Sequence, residues 1–88
     1  MNKQMDLYLL IEIYRNGLSL EPEINIDIYT DLDIARVKLK EAVANVFNAY
    51  EGRISHGQGY EDRFELSIDN GAVTYIYEIQ KKTLQLKN

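Results

Sequence analysis

The sequence predicts an α+β fold of order ββαββ: a four-stranded, mainly antiparallel sheet with one helix packed on one face, in a single domain over residues 1–88. Three observations predict it. Two stretches alternate side chains with a period of two around Asn-Gly pairs, at 16–17 and 70–71. A stretch between them repeats its apolar residues at helical spacing. No linker, repeat or low-complexity tract divides the 88 residues.

The first strand is "DLYLLIEIYR". Leu7, Leu9, Ile11 and Ile13 alternate with Tyr8, Leu10, Glu12 and Tyr14, the period of a strand. Asn16-Gly17 then signals a tight turn, because both residues tolerate positive φ. The second strand lies in "LSLEPEINIDIYT". A two-residue turn pairs Arg15 with Leu18, so Leu9 faces Ile24 and Leu7 faces Ile26. The aliphatic residues are then expected to point inward, and the tyrosines and acids outward. Pro22 falls opposite Ile11 in this register and cannot donate to a ladder. A longer loop ending at Pro22 is the competing reading.

The helix begins in "TDLDIARVKLKEAVANVFNAYEG". Thr30 is a suitable cap, with Asp33 at capping-box distance and Asp31 near the positive helix end. Leu32, Ala35, Leu39, Val43, Val46 and Tyr50 share one face, and Gly52 is a stop signal. The last hairpin is "RFELSID-NG-AVTYIYEIQ". A turn at Asn70-Gly71 pairs Arg63 with Glu78, Phe64 with Tyr77, Leu66 with Tyr75 and Ile68 with Val73. The tail "KKTLQLKN" either prolongs this strand or frays.

Composition limits the function. The chain has no cysteine, so neither a disulfide framework nor a thiolate metal site is expected. The net charge of −4 disfavours direct binding to nucleic acid, which requires basic charge to displace counterions. The apolar run Leu7–Ile11 is bracketed by Asp6 and Glu12 and is too short for a membrane span or a signal core. A cytoplasmic location is the expectation. Residues 1–35 hold seven acids and two bases, whereas residues 36–50 hold three bases and one acid. Residues 51–70 again hold five acids and two bases, so acidic segments alternate with mildly basic ones.

Three groups of residues are candidates for a site. The first is "GRISHGQGYEDR", residues 52–63, which contains the one histidine. A phosphate loop runs from strand to glycine-rich turn to helix; here the order is reversed. His56 has no histidine or cysteine companion for a metal, and Ser55 beside it has no orienting acid for nucleophilic chemistry. The stretch reads as a mobile polar loop. Neither a metal nor a cofactor is expected. The second group is the acids of the first hairpin, with Glu12 opposite Glu21 and Asp6 opposite Asp27 in the register above. Facing like charges destabilise a sheet unless a positive partner compensates them. The third is the tyrosines, seven in 88 residues. Tyr8, Tyr14 and Tyr29 share the outward face with Glu12, Glu23 and Asp27, a mixture suited to protein contacts.

The stretch from "IEIYRNG" to "INIDIYTDLDIARVKLKEAV" resembles small acidic strand–turn–strand–helix proteins of bacteria and their phages, with a Tyr-rich strand pair before a "TD-x-(D/E)-x-A" helix start. The resemblance implies a defence-inhibitor type of role, in which an acidic surface imitates nucleic-acid charge. Two functions follow. In the first, the chain is a non-enzymatic protein-binding module, a phage or mobile-element inhibitor. It docks Tyr8, Glu12, Tyr14, Glu21, Glu23, Asp27 and Tyr29 on a basic protein surface. In the second, Arg53, His56 and Arg63 form a ligand or enzyme site at a dimer interface. A homodimer through the sheet face or edge is expected to accompany either, with no membrane contact.

Overall fold

The computed structural model describes residues 3–86. The chain runs β1 (Lys3–Asn16), β2 (Glu23–Tyr29), α1 (Leu32–Ala49), β3 (Ile54–Tyr60), β4 (Arg63–Ile68), a single 3-10 turn (Asp69–Gly71) and β5 (Val73–Leu86). The expected α+β class with one helix on an antiparallel sheet is present. The sheet has five strands rather than four, in the order β2-β1-β5-β4-β3. β1 and β5 are its centre and pair antiparallel from Lys3↔Leu86 to Asn16↔Val73.

The extra strand is β3, drawn from the stretch read as a mobile loop. Its sequence, Ile54–Tyr60, is polar and glycine-containing, yet it pairs with β4 from Ile54↔Ile68 to Tyr60↔Arg63, with a bulge between Ile54 and His56. Gly57 and Gly59 alternate with period two because both lie beneath larger side chains. A Cβ at position 59 would overlap the Phe64 ring, and one at position 57 would stand 3.2 Å from a Leu66 methyl. Glycine inside a strand commonly marks such a close approach.

The last hairpin has the expected register, Arg63↔Glu78 to Ile68↔Val73. Asn70 (φ 58°) and Gly71 (φ 97°) both take the left-handed region, and the Ala72 N–H donates to the Asp69 carbonyl at 3.3 Å. That is the backbone of a type I′ turn. The first hairpin is different. Tyr8 pairs with Tyr29, Ile11 with Ile26 and Tyr14 with Glu23, four residues from the two-residue-turn register. The connection is the longer loop ending at Pro22. Gly17 takes no positive φ, and its N–H donates across to the Ala72 carbonyl at 2.9 Å. Glu12 therefore lies opposite Asn25, and Asp6 opposite Thr83. The expected Glu12–Glu21 and Asp6–Asp27 oppositions do not occur.

The helix is capped by Asp31, whose carboxylate accepts from the Ile34 N–H at 3.1 Å; Thr30 is not the cap. Ala35, Leu39, Val43 and Val46 are buried as expected. They meet Leu10, Leu66, Ile68, Tyr77 and Ile79 to form the core. Arg36 ties the helix to the β3–β4 turn, with Nε 2.7 Å from Asp62 and Nη1 3.2 Å from Glu61.

Leu10 is in the core and Leu10↔Ile79 is a ladder pair, so the even-numbered side of β1 faces the helix. This reverses the expectation for the first hairpin. Tyr8, Glu12, Tyr14, Glu23, Asp27 and Tyr29 lie on the helix-bearing side, and Leu7, Leu9, Ile11, Ile13, Ile24, Ile26 and Ile28 lie on the open side.

Candidate functional site

The helix packs over β5 and β1 and leaves β2 at the margin. A groove of about 440 Å³ runs between α1 and the first hairpin, lined in part by Glu12, Asn25, Asp27, Tyr29, Lys38 and Glu41. Its position follows from β2 having no helix above it. The strand alternation then aims Asn25 and Asp27 into that space, with Glu23 beyond its end on the same side of the sheet.

Charge in the sheet is sorted by side. Asp6, Glu12, Glu23 and Asp27 occupy the helix side, and among the described sheet residues only Lys81 opposes them there. Lys81 lies 3.6 Å from Asp6, which also accepts from the Thr83 hydroxyl at 2.8 Å. Glu12 accepts from the Asn25 amide at 3.2 Å and, deeper, from the Tyr77 hydroxyl. Glu23 and Asp27 are exposed and form no ion pair among the described residues. Lys38 at the groove wall is 3.3 Å from Glu41. The groove therefore presents two carboxylates, Glu12 and Asp27, that form no ion pair among the described residues.

A tyrosine cluster begins at the groove's Tyr77 and continues into an adjoining hollow with Tyr50 and Tyr75. Tyr75 lies between Tyr14 (ring centroids 5.0 Å apart) and Tyr77 (6.2 Å, stacked), and its hydroxyl meets that of Tyr50 at 3.4 Å. Burial raises the Tyr77 phenol above its ordinary value, and the hydrogen bond to Glu12 adds to this. Burial likewise raises Tyr75, helped by the Tyr50 hydroxyl. Both phenols thus hold their protons more tightly than a free tyrosine does. Tyr8 and Tyr29 are cross-strand partners, half-buried against the core, and Tyr29 also lines the groove.

Of the seven partner-binding residues expected from sequence, six share this side of the sheet: Tyr8, Glu12, Tyr14, Glu23, Asp27 and Tyr29. Glu21 is apart, in the loop before β2, where it lines a separate hollow with Arg15 and Pro22. The alternative set does not converge. Arg53 holds Asp69 with its guanidinium and lies over the Tyr50 ring, 5.3 Å from its centroid. Arg63 is engaged by Glu65 at 2.7 Å and Glu78 at 3.6 Å. His56 is exposed on the edge strand. None of the three lines the grooves described here.

Sequence reasoning missed Asn25, Lys38 and Glu41 as groove residues, because only the β2–α1 geometry joins them. It also missed the sidedness of the aliphatic residues. No family model matches the chain, and neither a curated protein nor a solved structure matches it.

Proposed function

We propose that the chain is a non-enzymatic protein-binding module that receives a basic segment of its partner in the groove between α1 and the β1–β2 hairpin. The observation that carries this reading is the sorting of charge: four carboxylates and one lysine on the helix side of the sheet. Glu23 and Asp27 stand free to pair with incoming cations, while Tyr8 and Tyr29 offer aromatic contact beside them. Proteins that bind nucleic acid carry lysine- and arginine-rich segments, and an acidic groove suits such a segment. The reading is that of a phage or mobile-element inhibitor acting by charge mimicry.

The test is titration of a lysine-rich peptide at two salt concentrations. The double variant Glu23→Gln/Asp27→Asn is compared with Asp33→Asn/Glu51→Gln, which removes the same charge elsewhere. The groove variant should lose about three- to tenfold in affinity and much of its salt dependence, and the control far less. Equal losses in the two variants would reduce the effect to net charge and remove the groove from consideration.

A further inference from the structure

The side of the sheet away from α1 is uncovered. Met5, Leu7, Leu9, Ile11 and Ile13 of β1 run along it, flanked by Ile24, Ile26 and Ile28 of β2 and by Ile76 and Leu84 of β5. Ile24, Ile26 and Ile28 are 56%, 55% and 61% exposed, among residues that a strand normally buries. Monomeric proteins rarely expose so continuous an aliphatic surface. We infer that a second copy of this chain covers it, face to face, so that two sheets enclose a second core.

Four features favour a second copy over another occupant. The first is size. The three strands that carry the surface hold 14, 14 and 7 residues; at about 3.4 Å per residue and about 4.8 Å between strands they give a footprint of roughly 570 Å² per copy, or about 1,140 Å² for a pair, above the roughly 1,000 Å² that a specific interface needs. The second is charge. The chain is acidic, yet the open side carries Lys3, Arg15, Arg63 and Lys82 against Glu65 and Glu78. These charges come closer to balance than the four carboxylates and one lysine of the helix side, so two copies meet less repulsion there than their helix sides would impose.

The third is the arm. β1 residues 3–7 pair only with β5 residues 82–86 and project as a two-stranded ribbon, and the described chain is 54 Å long by 27 Å wide. An isolated ribbon is marginal in water. This one carries Met5, Leu84 and Leu86, 40–44% exposed, on the same side as the aliphatic surface. A stacked second sheet supports both the body and the arm. The fourth concerns the edge. Pairing of β2 with β2 would satisfy free backbone groups but leave every one of these side chains wet, so stacking is the arrangement that removes them from water.

The experiment is sedimentation of the full chain alone over a concentration series, so its outcome is independent of any groove partner. The wild type should sediment at twice the 10.2 kDa chain mass. Ile26→Lys should raise the dissociation constant by about 100-fold or more, since it places a charge inside the stacked faces. Val37→Lys, at a helix position of similar exposure (52%), should leave the dimer unchanged. Circular dichroism of both variants reports whether the fold survives. Should Ile26→Lys unfold, Ile26→Thr, which keeps the branched strand-forming shape, provides the same comparison. Hydrogen exchange separates the two dimer geometries: β2 amides that do not bond to β1 should exchange rapidly in the dimer. A monomer at all concentrations, a dimer indifferent to both Ile26 variants, or protection of those β2 amides on dimerisation would each overturn the inference.

Discussion

Leu10 of β1 lies directly opposite Ile79 of β5, and both are buried beneath α1, at 6% and 9% exposure. This one pair decides which side of β1 is inside. Everything at even positions from Tyr8 to Tyr14 follows Leu10 toward the helix, and everything at odd positions follows Ile11 away from it.

The pair sets a contrast in stability between two aliphatic residues. Leu10→Ala should cost about 2–4 kcal/mol, as for other buried leucines. Ile28→Ala, at a position 61% exposed, should cost under about 1 kcal/mol in chain dilute enough to be monomeric. Urea denaturation measures both. A larger loss at Ile28 would mean that the opposite side of the sheet is the core.

The two Asn-Gly sites should respond differently to substitution. Gly71 has φ 97° and completes the β4–β5 turn, so Gly71→Val should cost about 1–2 kcal/mol. Gly17 lacks positive φ, and an added Cβ would meet only the Ala72 carbonyl oxygen at 3.4 Å. Gly17→Ala should therefore change stability by less than about 0.5 kcal/mol. Equal thermal shifts would contradict the distinction between the turns.

The Arg53–Asp69 pair predicts a dependence on acid. The guanidinium donates to the Asp69 carboxylate and lowers its pKa from the usual 3.8. A carboxyl lowered in the folded state binds fewer protons than in the unfolded chain. Its contribution is present above the unfolded value and is lost as pH falls through the folded one. Asp69 sits at φ 51°, which asparagine also tolerates, so Asp69→Asn isolates the charge. The wild type should melt higher at neutral pH, and the difference should vanish in strong acid. A difference constant with pH would assign it to something other than ionisation.

Alkali should act through the tyrosine cluster. Tyr75 and Tyr77 have phenols raised in the folded state, chiefly by burial. The folded chain then keeps protons that the unfolded chain releases above about pH 10, so stability falls as pH rises beyond that point. Phenolate absorbance should show these two rings ionising together with unfolding, tracked by circular dichroism. Smooth ionisation of all seven tyrosines ahead of any unfolding would show the cluster to be open to solvent.

The helix was readable because Ala35, Leu39, Val43 and Val46 repeat at helical spacing with no competing stripe. The β4–β5 register was readable because Asn70 and Gly71 truly occupy the conformation that the dipeptide advertises. Asn16-Gly17 advertises the same turn, but the chain continues to Pro22. The resulting register differs by four residues, an even number, so the aliphatic residues stayed together on one side. What could not be read was which side that is. Both sides of β1 are apolar, and burial is decided by β5, through a pairing that spans nearly the whole described chain. β3 escaped detection because its helix-facing positions are Gly57 and Gly59, which carry no apolar signal. The acidic groove was legible as a set of residues and not as a place: six expected residues share a side of the sheet, but only Glu12, Asp27 and Tyr29 of them line the groove, and its wall of Lys38 and Glu41 comes from α1.

The central position of β5 also dictates the order in which the fold can be assembled. β1–β2–α1 and β3–β4 can each begin to form during synthesis, but neither half hydrogen-bonds to the other within the sheet; both pair with β5. Leu10 and Leu66 thus stay on separate pieces until Val73–Leu86 slots between them. Contacts of such long sequence separation slow folding, because a large loop must close before any pairing is gained. A chain stalled before β5 has emerged would present two open strand edges and half a core. This places the fold's greatest exposure to aggregation in the interval before β5 emerges.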